Sequence, residues 1–452
     1  MNEKLAYIET FGCQMNERDS EIMGQLLQQA DYVETGRIEQ ADLILINTCS
    51  IRAKAEQKFY SLLGRLKKWK QKKPSLLIAA AGCVAQQEGK KIPARMPHVD
   101  IVLGTQHIYQ LPDLVKQAAT RKGPVLATEL SPKFAIPAYN PPVRKKEAAP
   151  CPALEIKKFV TIMQGCNNYC TYCVVPYTRG REVSRPALDI LAEIETLADN
   201  GIKEVTLLGQ NVNSYGKTNG RADAVDFPGL LRAVSAISGI ERVRFTTSHP
   251  KDLSEELMRT FQEIDKLCPH FHLPVQSGSN RILKSMNRKY TIEAYIDKVN
   301  TLRSFRPDIA LTTDIIVGFP GETEEDFEAT MALLQTIRYH SAFSFKYSDR
   351  PNAKSIAFAN KVEETEKAQR LKKLQTAQDA ITLERNQEYI GKKLAVMVEG
   401  ESKAASGQLS GRSETNHIVN FDGNGLERGA TVTVTITEGL LHSLRGVLES
   451  AD

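Results

Sequence analysis

The chain has 452 residues, which is too long for one ordinary hydrophobic core and predicts two to four domains. Apolar residues make up 41% and charged residues 25%, as in soluble globular proteins, and the net charge of +5 permits a polyanionic partner without requiring one. The first residues, MNEKLAYIETFG, carry early charges and no long apolar stretch, so we expect no signal peptide. No window approaches eighteen uncharged apolar residues, so we expect a cytoplasmic protein that spans no membrane.

The first 120 residues alternate between strand and helix patterns. KLAYIET, DLILINT, LLIAAAG and DIVLGT are strand candidates, and helical patterns follow the first two. This alternation predicts an N-terminal α/β domain with a parallel sheet over residues 1–120. Residues 121–152 contain seven prolines between Pro124 and Pro152 and are predicted to be a linker.

The βα alternation resumes in a second domain, predicted over residues 153–385. Its six strand candidates are FVTIMQ, EVTLLGQ, RVRFTTS, HFHLPV, ALTTDIIVGF and AFSFKYS, and helical patterns separate them. Six βα units predict a parallel barrel or a partial barrel that is open on one side. A charged helix at 361–390 precedes five short strands, which predict a small antiparallel β-barrel over residues 386–452.

Three cysteines follow the first strand of the second domain with the spacing C-x3-C-x2-C. Cys166, Cys170 and Cys173 in GCNNYCTYC suit a cubane iron–sulfur cluster, which normally takes four cysteines. Only three are supplied locally, which leaves one iron open, and an open metal position is a catalytic feature. S-adenosylmethionine could chelate that iron through its amino and carboxylate groups. The alternatives are a structural zinc site or three unrelated buried thiols.

The triplet, with Tyr172 before its last cysteine, resembles the signature of the radical S-adenosylmethionine superfamily. The resemblance implies a six-stranded partial βα barrel whose later loops bind the cofactor. QSGS, with Gln276 and Ser277, and IIVGFPGE, with Gly318 and Glu322, occupy the positions of the family's later motifs. LLGQN stands where many relatives carry Gly-Gly-Glu, so Gln210 is a further candidate contact.

Three more cysteines each follow a strand candidate of the first domain. Cys13, Cys49 and Cys83 are 36 and 34 residues apart, about one βαβ unit each. The carboxyl ends of parallel strands meet at one edge of a sheet, so these thiols are expected to form a second three-cysteine site. The alternative is that they are ordinary small buried residues. Cys151 and Cys268 follow no such pattern.

With two three-cysteine sites in one chain, the sequence resembles the methylthiotransferase family of radical S-adenosylmethionine enzymes. The match includes TFGCQMNERDSE, NTCSIR, AGCVAQQEG, GCNNYCTYCVVPYTRGRE, LLGQNVNSYG, TTSHP, HLPVQSGS and GFPGET. The resemblance implies two 4Fe–4S clusters, with the auxiliary cluster as sulfur source. It also implies that S-adenosylmethionine is both methyl donor and source of a 5′-deoxyadenosyl radical, which the cofactor must supply because the target hydrogen is not acidic.

The tail resembles a TRAM domain, an RNA-binding module of this family. Small barrels with basic rims bind nucleic acid by shape and phosphate contacts, and two basic runs, RLKKWKQKK and RLKKL, could follow a phosphate backbone. The alternative for each such residue is an ordinary solvated surface. The candidate RNA contacts of the tail are Arg412, His417, Asn420, Arg428 and Arg445.

Members of the family divide by target: prenylated adenosine beside the tRNA anticodon, threonylcarbamoyl-adenosine there, or an aspartate of a ribosomal protein. NTCSIR and CQMN are similar to the first group, which modifies carbon 2 of the adenine. The resemblance therefore implies tRNA as partner, with an external reductant such as flavodoxin or ferredoxin. We expect a monomer.

Overall fold

The computed structural model describes residues 3–50, 53–139, 141, 155–218, 225–402, 407–423 and 425–449. These residues divide into two compact units. Of the described residues, the first unit comprises 3–50, 53–139, 141, 161–167 and 173–185. The second comprises 155–160, 168–172, 186–218, 225–402, 407–423 and 425–449. In the described part of the chain, no helix combines the length and apolar character that a membrane span requires.

A six-stranded parallel sheet with strand order β2-β1-β3-β4-β5-β6 forms the centre of the first unit. Its strands are β1 (Lys4–Phe11), β2 (Tyr32–Glu34), β3 (Leu43–Thr48), β4 (Leu77–Ala81), β5 (Ile101–Leu103) and β6 (Val125–Ala127). Its helices are α1 (Gln14–Gln29), α2 (Ala53–Lys72), α3 (Gly82–Glu88), α4 (Lys91–Arg95) and α5 (Leu111–Thr120).

Both faces of this sheet are buried, which explains why β3 and β4 are uninterrupted apolar runs. Successive side chains of a strand point to opposite faces. Leu43 and Leu45 accordingly pack in the cluster that includes Ile22, while Ile44 and Ile46 pack in the cluster that includes Phe59.

The first unit differs from the sequence prediction at the two outer strands. Four strands were expected, whereas β2 and β6 bring the number in the sheet to six. Each has only three residues, too few for a strand pattern to be recognised. β6 pairs with β5 and lies within the segment 121–152, so this part of the predicted linker is a strand of the sheet. Residues 142–152, including Cys151, lie outside the described residues.

The end of the first unit is formed by short elements around the cysteine triplet. They are β8 (Met163–Gln164), α6 (Val175–Thr178) and β9 (Val183–Ser184), and β8 pairs with β9 in antiparallel fashion.

The second unit contains the six predicted barrel strands. They are β7 (Lys157–Thr161), β10 (Glu204–Leu208), β11 (Arg242–Thr246), β12 (His270–His272), β13 (Ala310–Val317) and β14 (Ser341–Lys346). They form two three-stranded sheets, β11-β10-β7 and β12-β13-β14, linked by a parallel bridge from Val243 to Leu267. The accompanying helices are α7 (Ala187–Asp199), α8 (Phe227–Ser235), α9 (Glu255–Glu263), α10 (Asn280–Ser285), α11 (Ile292–Phe305), α12 (Glu324–Ile337) and α13 (Glu364–Gln387).

The tail is a closed barrel with strand order β15-β16-β17-β19-β18. Its strands are β15 (Lys393–Glu401), β16 (Gln408–Ser413), β17 (Ile418–Asp422), β18 (Thr431–Gly439) and β19 (Leu444–Leu448). All pairs are antiparallel except β17 with β19, which is parallel. A closed ring of five strands cannot alternate direction throughout, so the fully antiparallel barrel expected from the sequence is corrected at this one pair.

Two arginines of β11 attach the tail barrel to the strands of the second unit. Arg242 donates to the carbonyl oxygens of Arg412 (2.6 Å) and Ala395 (3.0 Å). Arg244 donates to those of Glu414 (2.9 Å) and Ser413 (2.8 Å). Hydrogen bonds that involve a charged partner are the stronger kind, and these four fix the orientation of the tail barrel.

Candidate metal centres and cofactor site

The first unit gathers its three cysteines at the carboxyl edge of the sheet. Cys13 follows β1 as the N-cap residue of α1, Cys49 directly follows β3, and Cys83 lies in the first turn of α3 after β4. The Cys49 backbone N–H donates to the Phe11 carbonyl oxygen (2.9 Å). No disulfide joins any of the seven cysteines that the structure describes.

Close backbone approach at this edge explains the glycines that precede Cys13 and Cys83. A Cβ on Gly12 would lie 2.4 Å from the Cβ of Cys49. A Cβ on Gly82 would lie 2.2 Å from Asn47 Oδ1 and 2.8 Å from the Thr48 carbonyl oxygen, and Gly82 has a φ of +87°. Both positions therefore require glycine.

Two fully buried asparagines, which the sequence did not identify as site residues, hold the loops together. Asn16 Nδ2 donates to Asn47 Oδ1 (2.9 Å), and Asn47 Nδ2 donates to the Asn16 carbonyl oxygen (2.8 Å). The Cys13 thiol donates to Asn16 Oδ1 (3.2 Å). These bonds couple the α1 and β3 loops, so they fix the relative positions of Cys13 and Cys49.

Arg179 supplies a buried positive charge beside the three thiols. Its Nη2 donates to Asp19 Oδ2 at 2.7 Å, and both side chains are at least 96% buried. A hydrogen bond with Cys49 and the charge of Arg179 lower the pKa of Cys13 to about 6. Burial raises the pKa of Cys83, although Arg179 opposes that rise. Thiolates are the form that binds metal, so the arginine favours the ligand form of these cysteines.

The residues at this edge fit an iron–sulfur cluster. Nη1 of Arg179 is buried without a hydrogen-bond partner among the described residues, and a buried donor is normally satisfied. Three thiols and an unsatisfied cationic donor suit an anionic cluster with sulfur acceptors. In the part of the chain that the structure describes, no three His, Cys, Asp or Glu side chains are placed to bind one single metal ion.

The cysteine triplet lies in a loop shaped by glycine. The Cys166 backbone N–H donates to the Gly180 carbonyl oxygen at 3.3 Å. Gly165 has a φ of +83°, and a Cβ there would lie 2.1 Å from the Arg181 carbonyl oxygen. The chain can therefore turn at Cys166 only because a glycine precedes it.

In the second unit, the buried Arg288 lies beside Cys170 and Tyr172. Its Nη1 is 3.6 Å from Cys170 Sγ and 3.4 Å from the Tyr172 hydroxyl oxygen. The arginine is fixed by bonds to the Pro274 carbonyl oxygen (2.6 Å) and the Tyr290 hydroxyl (3.1 Å). Arg288 thus places a fixed positive charge against one thiol of the triplet, a feature that the spacing of the cysteines did not predict.

Polar groups without partners cluster at the carboxyl ends of β10 and β11. Among the described residues, no hydrogen bond reaches either side-chain polar atom of the buried Asn213, Oδ1 of Asn211, or Nε2 of His249. The hydroxyl groups of Thr247 and Ser248 are likewise buried without a partner. Burial and nearby cations, Arg288 first among them, lower the pKa of His249, so its imidazole is neutral.

These groups suit a polar ligand. Asn211 is held by donating to Ser214 Oγ (3.0 Å) and Asp252 Oδ2 (2.8 Å), which leaves its Oδ1 as an acceptor. Unsatisfied buried polar atoms in a native protein indicate a missing partner, and ligands of parallel α/β sheets bind at carboxyl ends of strands. The amino, carboxylate and ribose groups of S-adenosylmethionine match this mixture of donors and acceptors.

The other predicted cofactor residues contact the protein itself. Gln276, with a φ of +73°, bridges to Ile315 through its backbone. Ser277 Oγ is fully buried and accepts from the Ser279 N–H (3.2 Å). Glu322 accepts from the Gly318 N–H (2.7 Å) and from Arg370 Nη1 (2.8 Å). Their role in cofactor binding, with that of Gln210 at the end of β10, stays a prediction.

The predicted RNA contacts of the tail barrel are unequally accessible. Arg445 is exposed and 3.5 Å from Glu438, and Arg428 is half-buried. Arg412 is held by Glu399 (3.1 Å). Asn420 is buried and accepts from the Ser402 hydroxyl (3.0 Å), and the His417 ring packs 4.7 Å from that of Tyr389. Burial favours a structural role for Asn420, and ring packing favours one for the half-buried His417.

The cations of the two basic runs also differ in how far they are exposed to solvent. Arg370 in RLKKL is 96% buried and pairs with Glu322, Glu324 and Glu366, so this residue of the run is held by protein carboxylates. A phosphate contact by the rest of the run stays a prediction. In RLKKWKQKK, Lys70 pairs with Asp100 at 2.8 Å. The exposed cations of that run are Arg65, Lys67, Lys68 and Lys72.

Comparisons with known proteins define the class first. The sequence model of the Radical SAM superfamily matches residues 160–334, that of Uncharacterized protein family UPF0004 matches 5–104, and that of the TRAM domain matches 387–448. A solved radical S-adenosylmethionine methyltransferase, TsrM from Kitasatospora setae, superposes with a TM-score of 0.55 at 12% identity. The match covers 75% of this chain and 72% of that one, and it supports the fold alone.

Curated relatives narrow the class to one family. The tRNA-2-methylthio-N(6)-dimethylallyladenosine synthase of Desulfotalea psychrophila is 55% identical over 99% of both chains. The protein of the same name from Geotalea uraniireducens is 49% identical over 99% of both chains. This chain therefore belongs to the tRNA-2-methylthio-N(6)-dimethylallyladenosine synthase family.

Proposed function

We propose that this chain transfers a methylthio group to carbon 2 of an N6-dimethylallyl adenosine beside the tRNA anticodon. The observation that carries the proposal is the near-full-length identity of 45–55% to relatives that are named for this product. The names of these relatives do not favour the two other targets considered, threonylcarbamoyl-adenosine and a ribosomal-protein aspartate.

Two thiol sets in this chain would hold the two 4Fe–4S clusters. Cys166, Cys170 and Cys173 form one set, and Cys13, Cys49 and Cys83 form the other. When bound, the clusters and S-adenosylmethionine supply the radical, the methyl group and the sulfur that no protein side chain can supply. Arg179 and Arg288 would offset the negative charge of the two thiolate sets.

The polar groups of β10 and β11 would orient S-adenosylmethionine. Asn211 and Asn213 offer amide oxygens to its ammonium group, and the Asn213 amide N–H groups can donate to its carboxylate. Neutral His249 presents Nε2 as a donor or an acceptor, according to its tautomer. Because Asp252 and Ser214 already fix Asn211, little conformational entropy is lost when the ligand binds.

Several finer features belong to the same proposal. We assign tRNA capture to the tail barrel, with Arg445 and Arg428 as its most accessible candidates. We propose the boundaries 153–385 and 386–452 for the second and third domains, whereas the first domain extends beyond residue 120 to include β6. We further propose that the chain is a cytoplasmic monomer and that it receives electrons from an external reductant such as flavodoxin or ferredoxin.

Parallel incubations test the proposal. The anaerobically reconstituted, reduced chain is incubated with S-adenosylmethionine and one of four substrates: prenylated tRNA, unprenylated tRNA, threonylcarbamoylated tRNA, and the ribosomal protein. We expect methylthio product only on prenylated tRNA. Product only on another substrate would overturn the assignment. Zinc in place of iron and acid-labile sulfide in the active preparation would overturn the cofactor assignment.

A further inference from the structure

We infer that Nη1 of Arg179 donates a hydrogen bond to a sulfur atom of the auxiliary cluster, and that this contact stabilises the reduced cluster. The inference rests on the proposed function because it requires a cluster at Cys13, Cys49 and Cys83. Arg179 belongs to the segment YTRGRE, which follows the other cysteine set in sequence. The protein therefore uses a residue adjacent in sequence to one cluster motif to complete the site of the other.

Three observations support the contact. Arg179 is 97% buried, its Nη2 is held by Asp19 at 2.7 Å, and its Nη1 is buried without a hydrogen-bond partner among the described residues. The charge of this guanidinium acts on Cys83 and Cys13 and on Asp19. Asp19 thus fixes one nitrogen of the planar guanidinium fork, and the guanidinium lies beside the Cys83 thiol, on which it acts through its charge and a side-chain hydrogen bond.

The effect on the cluster follows from charge. Reduction adds a negative charge, and hydrogen bonds to cluster sulfur together with nearby positive charge favour the more negative state. Loss of Arg179 must therefore lower the midpoint potential. Arg181 is a matched control, because it is an exposed arginine two residues away in the same loop.

The test uses the full chain with Cys166, Cys170 and Cys173 replaced by alanine, so that only the auxiliary cluster is present. Redox titration followed by electron paramagnetic resonance compares Arg179→Gln, Arg179→Lys and Arg181→Gln in that background. For Arg179→Gln we expect the ratio of reduced to oxidised cluster at a fixed potential to fall at least tenfold. This corresponds to a midpoint potential that is lower by about 59 mV for a one-electron couple. Arg181→Gln should leave the midpoint unchanged.

The remaining outcomes are also decisive. An unchanged midpoint in Arg179→Gln overturns the inference. If both Arg179 variants lose iron while Trp69 fluorescence stays native, the contact is supported as a binding interaction. If both lose iron and native fluorescence, Arg179 is purely structural and the inference fails. Absence of iron and sulfide from the chain with intact arginines would instead refute the cofactor assignment itself.

A separate observation concerns an exposed aromatic pair on β14. Phe343 is 56% exposed and Phe345 is 47% exposed. Between them, Ser344 faces α13, where Gln375 Nε2 donates to its hydroxyl oxygen (3.2 Å). Because side chains alternate along a strand, both phenylalanines lie on the face that α13 does not cover.

That face of the sheet continues onto β13 and β12. Phe343 pairs in register with Asp314, and Phe345 pairs with Ile316. The ring of His272 lies 6.3 Å from that of Phe343, and its Nε2 is 3.6 Å from Asp314 Oδ2. Ile316 packs in the cluster that Tyr172 contacts. Ile316, Phe343 and Phe345 therefore form an apolar surface on the face of β13 and β14 that α13 does not cover, next to the core cluster against which Tyr172 packs.

The geometry points to this apolar surface as the binding site of the five-carbon dimethylallyl group of the substrate. Two exposed phenylalanines on one face are a costly arrangement unless a ligand covers them, and a branched hydrocarbon has the matching chemistry. This second inference likewise depends on the proposed substrate.

Binding measurements with paired RNAs test it. Anticodon stem-loop RNAs with and without the dimethylallyl group are titrated into the holoenzyme, Phe345→Ala, Phe343→Ala and the control Leu188→Ala, which removes an exposed leucine of α7. We expect both phenylalanine variants to lose about tenfold of the preference for prenylated RNA, with unchanged affinity for the other RNA. Equal losses for both RNAs would assign the rings to base stacking and overturn the inference.

Discussion

Gly82→Ala should disrupt the N-terminal cysteine site more than any other single-methyl addition in its helix. The new Cβ would lie 2.2 Å from Asn47 Oδ1 and 2.8 Å from the Thr48 carbonyl oxygen. Neither atom can move away, because Asn47 is fully buried and bonded to Asn16 and Thr48 ends β3. The change also places an alanine at a φ of +87°.

A control substitution separates the backbone cost from the packing cost. Gly123 also has a positive φ (+97°), but a Cβ there would meet no heavy atom of the described residues within 4 Å. Both substitutions carry a backbone cost of about 1–2 kcal/mol. Only Gly82→Ala adds overpacking, typically about 1–3 kcal/mol. We therefore expect Gly82→Ala to destabilise the first unit by roughly 3 kcal/mol, and Gly123→Ala by roughly 1 kcal/mol.

The chain provides its own probe for this experiment. Trp69, the single tryptophan, packs on the core of the first unit, so its fluorescence during urea unfolding reports on that unit. Iron analysis after reconstitution should show loss of about half the metal in Gly82→Ala and none in Gly123→Ala. Equal destabilisation by the two substitutions, or a full iron content in Gly82→Ala, would show that the close contacts of Gly82 do not hold the cysteine site together.

Three further substitutions separate the roles of the sites. Cys166→Ala should abolish 5′-deoxyadenosine formation, whereas Cys49→Ala should spare much of it and lose the methylthio product; equal losses would mean that the two sites act as one. Asn213→Ala should weaken S-adenosylmethionine binding about tenfold in anaerobic calorimetry with iron content unchanged, because hydrogen bonds to charged groups contribute about 1.5–3 kcal/mol. Burial and Arg412 lower the pKa of His417 to about 4 in the folded chain. Below about pH 6.5 the histidine of the unfolded chain therefore binds a proton that the folded chain does not bind. The free energy of unfolding should fall by up to about 3 kcal/mol between pH 6.5 and pH 4. His417→Gln should flatten that calorimetric pH dependence; an unchanged slope would exclude His417 as its source.

Much of the fold could be predicted from the sequence because the period of apolar residues is unambiguous in its long elements. The six barrel strands β7 and β10–β14 and the five tail strands all lie where the pattern predicts them. β2 and β6 escaped prediction because three residues carry no period. The parallel β17–β19 pair follows from barrel closure, which is a global constraint that no local pattern contains.

The candidate site was only partly predictable, because the sequence shows which residues are chemically distinctive but not which ones the fold buries. Cysteines are rare and chemically distinctive, so their spacing identified both sets. Arg179 and Arg288 look like any surface arginine in sequence, and only the fold reveals that each is buried beside a cysteine. Burial is equally invisible in the sequence at Arg370 and Asn420, two polar residues whose side chains the fold encloses; an RNA contact by Asn420 stays a prediction.

The central claim is that this chain moves sulfur from its N-terminal cysteine site to carbon 2 of a prenylated adenosine. The most direct test reconstitutes the chain with a heavy isotope of sulfide, removes the excess, and follows a single turnover on prenylated tRNA by mass spectrometry of the nucleosides. We expect heavy sulfur in a methylthio group on the prenylated adenosine, and none of that product from Cys49→Ala. Prenylated adenosine that remains unmodified while 5′-deoxyadenosine accumulates, or a product with light sulfur only, would contradict it.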